Sequence, residues 1–309
     1  MQNGNNPFLA HLFQMDKKLL HGAHTALITP MNDGKVCYAD LQTIVNAQLS
    51  SGISGVVPCG TTGESPTLSD QEHLQVIKST VEIVQGQIPV IAGTGANSTA
   101  EALELTKKAD QAGADAFLLV APYYNKPSQE GLFAHFSAIA ECTEKPIILY
   151  SIPSRCGIEI STSTIQKLFE KHPSICALKE AGGRSAKVSE TACALGDDFV
   201  ILSGDDGLTL PFIACGAKGV ISVASNIIPS IVSKLVSSAL NENFKKARDI
   251  HLQNYQFFSD IFLEPNPVPI KTLMHSKGLI ASPEVRLPLT PPSKEKKDLF
   301  NQIAKNLDL

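Results

Sequence analysis

At 309 residues with 43% apolar content, the chain has room for one large α/β barrel or two ordinary domains, and enough apolar side chains for a sizeable core. A formal net charge of −4 excludes the concentrated basic surface that nucleic acid or an anionic membrane requires, which leaves small metabolites as the expected partners. Seven cysteines, at 37, 59, 142, 156, 176, 193 and 215, show no CxxC pair and no regular spacing, and read as the reduced thiols of a cytoplasmic protein.

Residues 1–21 have neither a basic start before a long apolar core nor a small-residue cleavage site, and are read as an N-terminal extension. No later stretch approaches the roughly 20 uninterrupted apolar residues of a membrane span. From His24 onward, short apolar runs alternate with amphipathic stretches. The runs at 24–29, 55–59, 89–93, 115–120, 146–150, 175–179, 199–203 and 218–223 predict eight strands, each bounded by Gly, Pro or Asp and too short for a buried helix. Helical periodicity follows them, as at 70–84 and 100–113. Strict βα alternation with near-continuous apolar strands calls for a parallel sheet covered by helices, and eight units within one stretch of this length fit a closed (β/α)8 TIM barrel. The barrel is expected over 22–227. Residues 228–309, with helical stretches at 229–240, 243–262, 269–277 and 292–309, predict a C-terminal helical appendage with a structural or oligomer-forming role.

In such a barrel the chemistry gathers at the C-terminal ends of the strands. Strand 6 ends in SICALKEAGG at 174–183, placing Lys179 at the end of an apolar run. A lysine entering a closed pocket loses stability in its charged form, so a nucleophilic neutral fraction appears near pH 7, which is what a Schiff-base lysine requires. The plain alternative is a lysine that snorkels to water. Strand 2 ends in GTTGES at 60–65, where two glycines, two hydroxyls and the loop amides can hold a small carboxylate or merely make a turn. Only 5 of the 309 residues are Tyr, yet three of them, Tyr123, Tyr124 and Tyr150, fall at the ends of strands 4 and 5. Thr61, Tyr150 and one of the paired tyrosines can form a proton relay, and Arg155 can clamp a carboxylate. Gly204 permits close approach after strand 7, where Asp205 and Asp206 read as caps of the following helix. Glu180, next to Lys179 on a strand of period two, should point away from the barrel interior and act structurally. The eight histidines form no ligand-spaced pair, so no metal is expected.

Taken together, GTTGES, PYYNKPSQEG, YSIPSRCG, LKEAGG, SGDD, GVISV and EPNPVPIK resemble the dihydrodipicolinate (4-hydroxy-tetrahydrodipicolinate) synthase family of the N-acetylneuraminate lyase superfamily of class I aldolases. The resemblance runs from about His24 into the C-terminal helices. It implies that Lys179 forms a Schiff base with pyruvate and that Thr62 holds the pyruvate carboxylate. Thr61 and Tyr150 then make a proton relay that Tyr124 completes from a neighbouring subunit, and backbone around Gly204 and Ile221 lines the pyruvate end. Arg155 receives the second substrate, aspartate semialdehyde. The product enters diaminopimelate and lysine biosynthesis, no cofactor is required, and a homo-oligomer, a dimer or a dimer of dimers (homotetramer), is implied. Members inhibited by lysine use residues matching Ser65, His73, Asn97, Glu101 and Tyr123, all present here. Ser151, Asp70 and Pro66 depart from common family residues at their positions. A sugar-acid lyase of the same superfamily and an inactive ligand-sensing barrel remain alternatives; Thr61 and Arg155 count against the first, and an intact relay with its lysine counts against the second.

Overall fold

The structure, a computed structural model, describes residues 19–307. The first 18 residues of the expected N-terminal extension lie outside them, as do the last two of the chain.

Eight parallel strands form the centre: β1 (Gly22–Ala26), β2 (Gly55–Val57), β3 (Ile91–Gly93), β4 (Ala116–Val120), β5 (Ile147–Ser151), β6 (Ile175–Glu180), β7 (Val200–Ser203) and β8 (Gly219–Ser222). They pair in the order β2-β1-β8-β7-β6-β5-β4-β3. A parallel bridge between Val56 and Val90 joins the two ends, with the Val56 N–H donating to the Pro89 carbonyl at 3.0 Å and the Gly93 N–H to that of Pro58 at 3.0 Å. The barrel therefore closes, which removes the edges of this eight-stranded sheet. Where β8 meets β1, a Cβ on Gly219 would sit 1.9 Å from the Gly22 carbonyl oxygen, so that seam admits no side chain.

Between the strands run α1 (Tyr38–Leu49), α2 (Asp70–Val84), α3 (Thr99–Gln111), α4 (Gln129–Ala140), α5 (Thr162–Lys171), α6 (Ser185–Leu195) and α7 (Thr209–Ala214), and α8 (Pro229–Leu240) follows β8. Serine side chains start four of them. Ser69, Ser98, Ser128 and Ser161 each accept from a first-turn backbone N–H, and Ser69 with Glu72 makes a reciprocal capping box. The sequence signals missed one small element, an antiparallel pairing of Met31–Asn32 with Lys35–Val36 whose strands are too short to show periodicity. The first strand also begins and ends earlier than the apolar run suggested, because the chain leaves the sheet after Ala26 while Leu27 and Ile28 continue into the buried loop.

Strand periodicity sorts the side chains into two layers. Ile148 and Tyr150 of β5, Ala177 of β6, Leu202 of β7 and Ile221 of β8 fill the barrel interior, whereas Leu149, Leu178, Ile201 and Val220 pack outward under the helices. Helix α8 packs against β1 and β8 and so acts as the eighth helix of the barrel. Three further helices follow: α9 (Phe244–Asp260), α10 (Val268–Ser276) and α11 (Lys294–Asn306). The seven cysteines are free thiols. Among the described residues no helix is long and apolar enough to cross a membrane.

Candidate active site

All the strand-end residues singled out from the sequence lie at one mouth of the barrel. The register pairs Tyr150 of β5 with Lys179 of β6, and Lys179 with Leu202 of β7. Because Ala177 points inward, Lys179, two residues on, points inward as well. Its amine lies 4.1 Å from the centroid of the Tyr150 ring and the residue is only 6% exposed. Burial is the main reason its pKa falls from 10.5 to about 7; the Arg155 charge lowers it further and Asp206 opposes the fall. At neutral pH a substantial share of this amine is unprotonated and nucleophilic.

Tyr150 moves the other way. Burial pushes its phenol up to about 12, while a hydrogen bond to Thr61 and the charge of Arg155 draw it back. It is thus a neutral, hydrogen-bonded phenol against a partly neutral amine, suited to carrying protons and not to being an anion. Tyr150, Thr61 and Arg155 line a cleft of about 240 Å³ together with Ser65 and Tyr123. Arg155, on the single helical turn Pro153–Cys156, keeps its guanidinium exposed at the rim.

Thr62 is buried deeper than Thr61, at 3% exposure, and its hydroxyl oxygen accepts from the Asn266 side-chain amide at 2.9 Å. Gly204 packs directly against the lysine: a Cβ there would lie 3.0 Å from Lys179 Cε and 2.7 Å from the Ala181 Cβ. Ile221 is fully buried in the interior layer. Asp206 departs from the expected helix-capping role. Asp205 alone caps the turn, accepting from the Gly207 N–H at 2.9 Å. The Asp206 carboxylate instead takes the Ser222 hydroxyl and the backbone N–H groups of Val223 and Ala224 at the end of β8. It is 2% exposed and burial raises its pKa to about 6.

Tyr124 stands apart. It is 88% exposed and its backbone is left-handed, with φ at 73°, which is uncommon for a bulky residue. The phenol reaches into solvent and is not part of the cleft of its own chain. The five residues expected to bind a regulator fall partly on the cleft and partly beside it. Ser65 and Tyr123 line it, and the Asn97 amide donates to the Tyr123 carbonyl at 3.3 Å. The nearby Glu101 charge helps burial raise the Tyr123 phenol. His73 is buried, its ring hydrogen-bonded to the Gly93 carbonyl at 2.8 Å, and burial lowers its pKa.

Sequence reasoning left the buried contacts of the loop after β2 unassigned. Glu64, just beyond Thr62, forms an ion pair with Lys271 at 2.6 Å with both side chains essentially sealed from solvent. Its second oxygen accepts from the Arg286 backbone N–H at 2.9 Å. The appendage therefore grips the loop after β2 through Asn266 and Lys271. A lysine inside the apolar run VPIKTLM was the available signal for this pair. Among the described residues no group of three or more His, Cys, Asp or Glu side chains is placed to hold a metal ion.

The model of the Dihydrodipicolinate synthetase family matches residues 19–307. A 4-hydroxy-tetrahydrodipicolinate synthase from Sulfurihydrogenibium sp. is 47% identical over 94% of this chain and 99% of its own length. The crystal structure of dihydrodipicolinate synthase from Aquifex aeolicus superposes with a TM-score of 0.91 at 45% identity, covering 93% of this chain and 97% of that one. A dihydrodipicolinate synthase from Cyanidioschyzon merolae, solved with lysine bound, superposes with a TM-score of 0.88 at 36% identity over 93% of this chain and 97% of that one.

Proposed function

The chain belongs to the dihydrodipicolinate synthetase family and has the synthase activity of that family, and from this premise we propose that Lys179 is its Schiff-base nucleophile. The observation that carries this reading is an amine held near pKa 7 by burial, 4.1 Å from the ring centroid of a phenol whose hydroxyl is tied to Thr61.

The chemistry follows from those groups. Neutral Lys179 attacks the keto carbon of pyruvate, and the carbonyl oxygen takes up a proton to give a carbinolamine. Tyr150, passing protons through Thr61, protonates the departing hydroxyl, so that water leaves and the imine forms. Loss of a methyl proton converts the imine to an enamine, whose carbon bonds to the aldehyde carbon of L-aspartate 4-semialdehyde as the aldehyde oxygen takes up a proton to become the 4-hydroxyl and the protonated imine is restored. The substrate's own amine then attacks the imine carbon, closing the ring of 4-hydroxy-tetrahydrodipicolinate and releasing Lys179. The protonated imine is itself the electron sink, so the step needs no metal or organic cofactor.

In this reading Thr62 holds the pyruvate carboxylate, and Gly204 and Ile221 border the space beside the imine. Arg155 meets the carboxylate of the semialdehyde at the rim, where a planar donor fork suits it. Tyr124, exposed on its own chain, completes the relay of a second copy, so the working form is a homo-oligomer, a dimer or a homotetramer, located in the cytoplasm. Ser65, His73, Asn97, Glu101 and Tyr123 form the site of feedback by lysine, at the interface between two copies; a rate unaltered by millimolar lysine would remove that part.

Trapping with borohydride tests the core of the reading. Pyruvate should give a stable adduct on Lys179 that Lys179→Ala abolishes, and an enzyme that consumes pyruvate without an adduct refutes it. Aspartate semialdehyde should be turned over far better than N-acetylmannosamine; the reverse preference would make the enzyme a sugar-acid lyase.

A further inference from the structure

Asn266 lies just before α10, far in sequence from the barrel mouth, and is 6% exposed. Its side-chain amide donates to the Thr62 hydroxyl oxygen at 2.9 Å, while its own carbonyl oxygen has no hydrogen-bond partner. A threonine hydroxyl has one proton to give and lone pairs with which to accept. With a donor already on the oxygen, the Thr62 proton is turned away from Asn266 and is free to point at a ligand. Were the amide turned over, its oxygen would take that proton, and Thr62 would offer a lone pair to any carboxylate. The direction of this one contact therefore decides whether Thr62 attracts or repels an anion. The contact is held in place from both sides, because the loop is clamped two residues later by the Glu64–Lys271 pair and the Arg286 backbone N–H.

We propose that Asn266 is a positioning residue that sets the polarity of the Thr62 hydroxyl, so that Thr62 donates a hydrogen bond to the carboxylate of the keto-acid substrate. The inference rests on the assignment of Thr62 to that carboxylate. The appendage, through Asn266, thereby takes part in substrate binding.

Asn266→Asp, Asn266→Ala and Thr62→Val, each in the full chain, test this through separate KM values for the two substrates, kcat and the melting temperature. Asp keeps the shape of Asn but offers Thr62 only acceptors when ionised. Asn266→Asp is therefore expected to raise the pyruvate KM by about tenfold or more at pH 8.5, the loss of one hydrogen bond to a charged group, with the semialdehyde KM unchanged. Asn266→Ala, which removes the donor without adding an acceptor, should raise the pyruvate KM less than Asp does. A merely structural role predicts the reverse order, and that order, or an unchanged pyruvate KM in Asn266→Asp, overturns the proposal. If Asn266→Asp does not fold, an unaltered pyruvate KM in Asn266→Ala overturns it instead. Thr62→Val separates the two readings: no effect on pyruvate KM defeats the assignment of Thr62, whereas a large effect there beside a silent Asn266→Asp defeats the Asn266 inference alone.

Discussion

Lys179 and Lys271 are both sealed from solvent, at 6% and 0% exposure, and the fold treats them in opposite ways. Lys271 sits 2.6 Å from Glu64, whose second oxygen is satisfied by a backbone N–H. Burial pulls its amine down, but the facing carboxylate pulls it back toward the charged form. Lys179 faces the ring of Tyr150, and among the described residues no carboxylate forms an ion pair with it. The carboxylate that acts on it through space, Asp206, already accepts three hydrogen bonds at the end of β8. A buried amine with a committed partner serves as a cation that ties two segments together, and one without a partner becomes a nucleophile. Burial is common to both; the difference is the assignment of the nearest carboxylate.

Removing the unpartnered amine has the largest expected effect. Lys179→Ala should lower turnover on the order of 10³-fold or more, because the covalent route is lost and not merely weakened. The same lysine should be a burden on the fold. Its folded pKa of about 7 lies below the ordinary lysine value of 10.5, so between those values the unfolded chain holds a proton that the native chain has shed. Stability therefore rises with pH across that window and is lowest below pH 7. Lys179→Met should stabilise the protein on the order of 2–4 kcal/mol at pH 6 and by less at pH 9, measured by urea unfolding. Equal stability of the two forms at both pH values would mean that the amine is solvated.

The paired lysine should behave in reverse. Lys271→Met leaves Glu64 buried without its cation and should cost about 3–5 kcal/mol, whereas Lys271→Met combined with Glu64→Gln should recover much of that loss. Unfolding of the two single variants and the double variant closes the cycle, and additive losses would show that the pair is not coupled. Between these extremes stands Gly204→Ala. Its methyl would press on Lys179 Cε at 3.0 Å and on Ala181 Cβ at 2.7 Å, displacing the amine from its line of attack. A fall of about 10–100-fold in kcat/KM for pyruvate is expected, since small misplacements of a reacting atom have effects of that size.

The two lysines also show how far the sequence could be read. The eight apolar runs were legible because a parallel barrel strand is buried on both faces and spells a short continuous apolar word. Lys179 was legible because it ends such a run beside Gly and Ala, and because Thr61, Tyr150 and Arg155 end neighbouring runs. Lys271 carries the same local signature, a cation within VPIKTLM, yet its partner lies 207 residues away, and only the folded chain brings Glu64 to it. Asn266 was hidden for the same reason. Its partner Thr62 is 204 residues distant, and a proline-rich break offers no periodicity from which to infer a facing side chain. Asp206 was misread as a cap because local spacing favours a helix start, whereas its hydrogen bonds run to the end of β8.

Glu180 offers the smallest effect, and it separates the two faces of one strand. It follows Lys179 directly, lies on the outward face with Leu178, and is fully buried. One oxygen accepts from the Gly182 N–H at 2.6 Å and the other has no partner. Burial raises its pKa from 4.5 to about 7, with the nearby Glu159 charge adding to the shift. Between those values the native chain holds a proton that the unfolded chain has lost, so stability falls as pH rises through that window and stays reduced above it. Glu180→Gln keeps the acceptor for Gly182 and removes the titration. It should stabilise the fold by about 1–2 kcal/mol at pH 8 and by almost nothing at pH 4, measured by unfolding at both values. Its pH profile for pyruvate should retain the acid limb near pH 7, because that limb belongs to Lys179, on the inner face. A limb that moved with Glu180→Gln would assign the titration to the outer face, and the contrast between an unpartnered amine and a paired one would no longer explain the nucleophile.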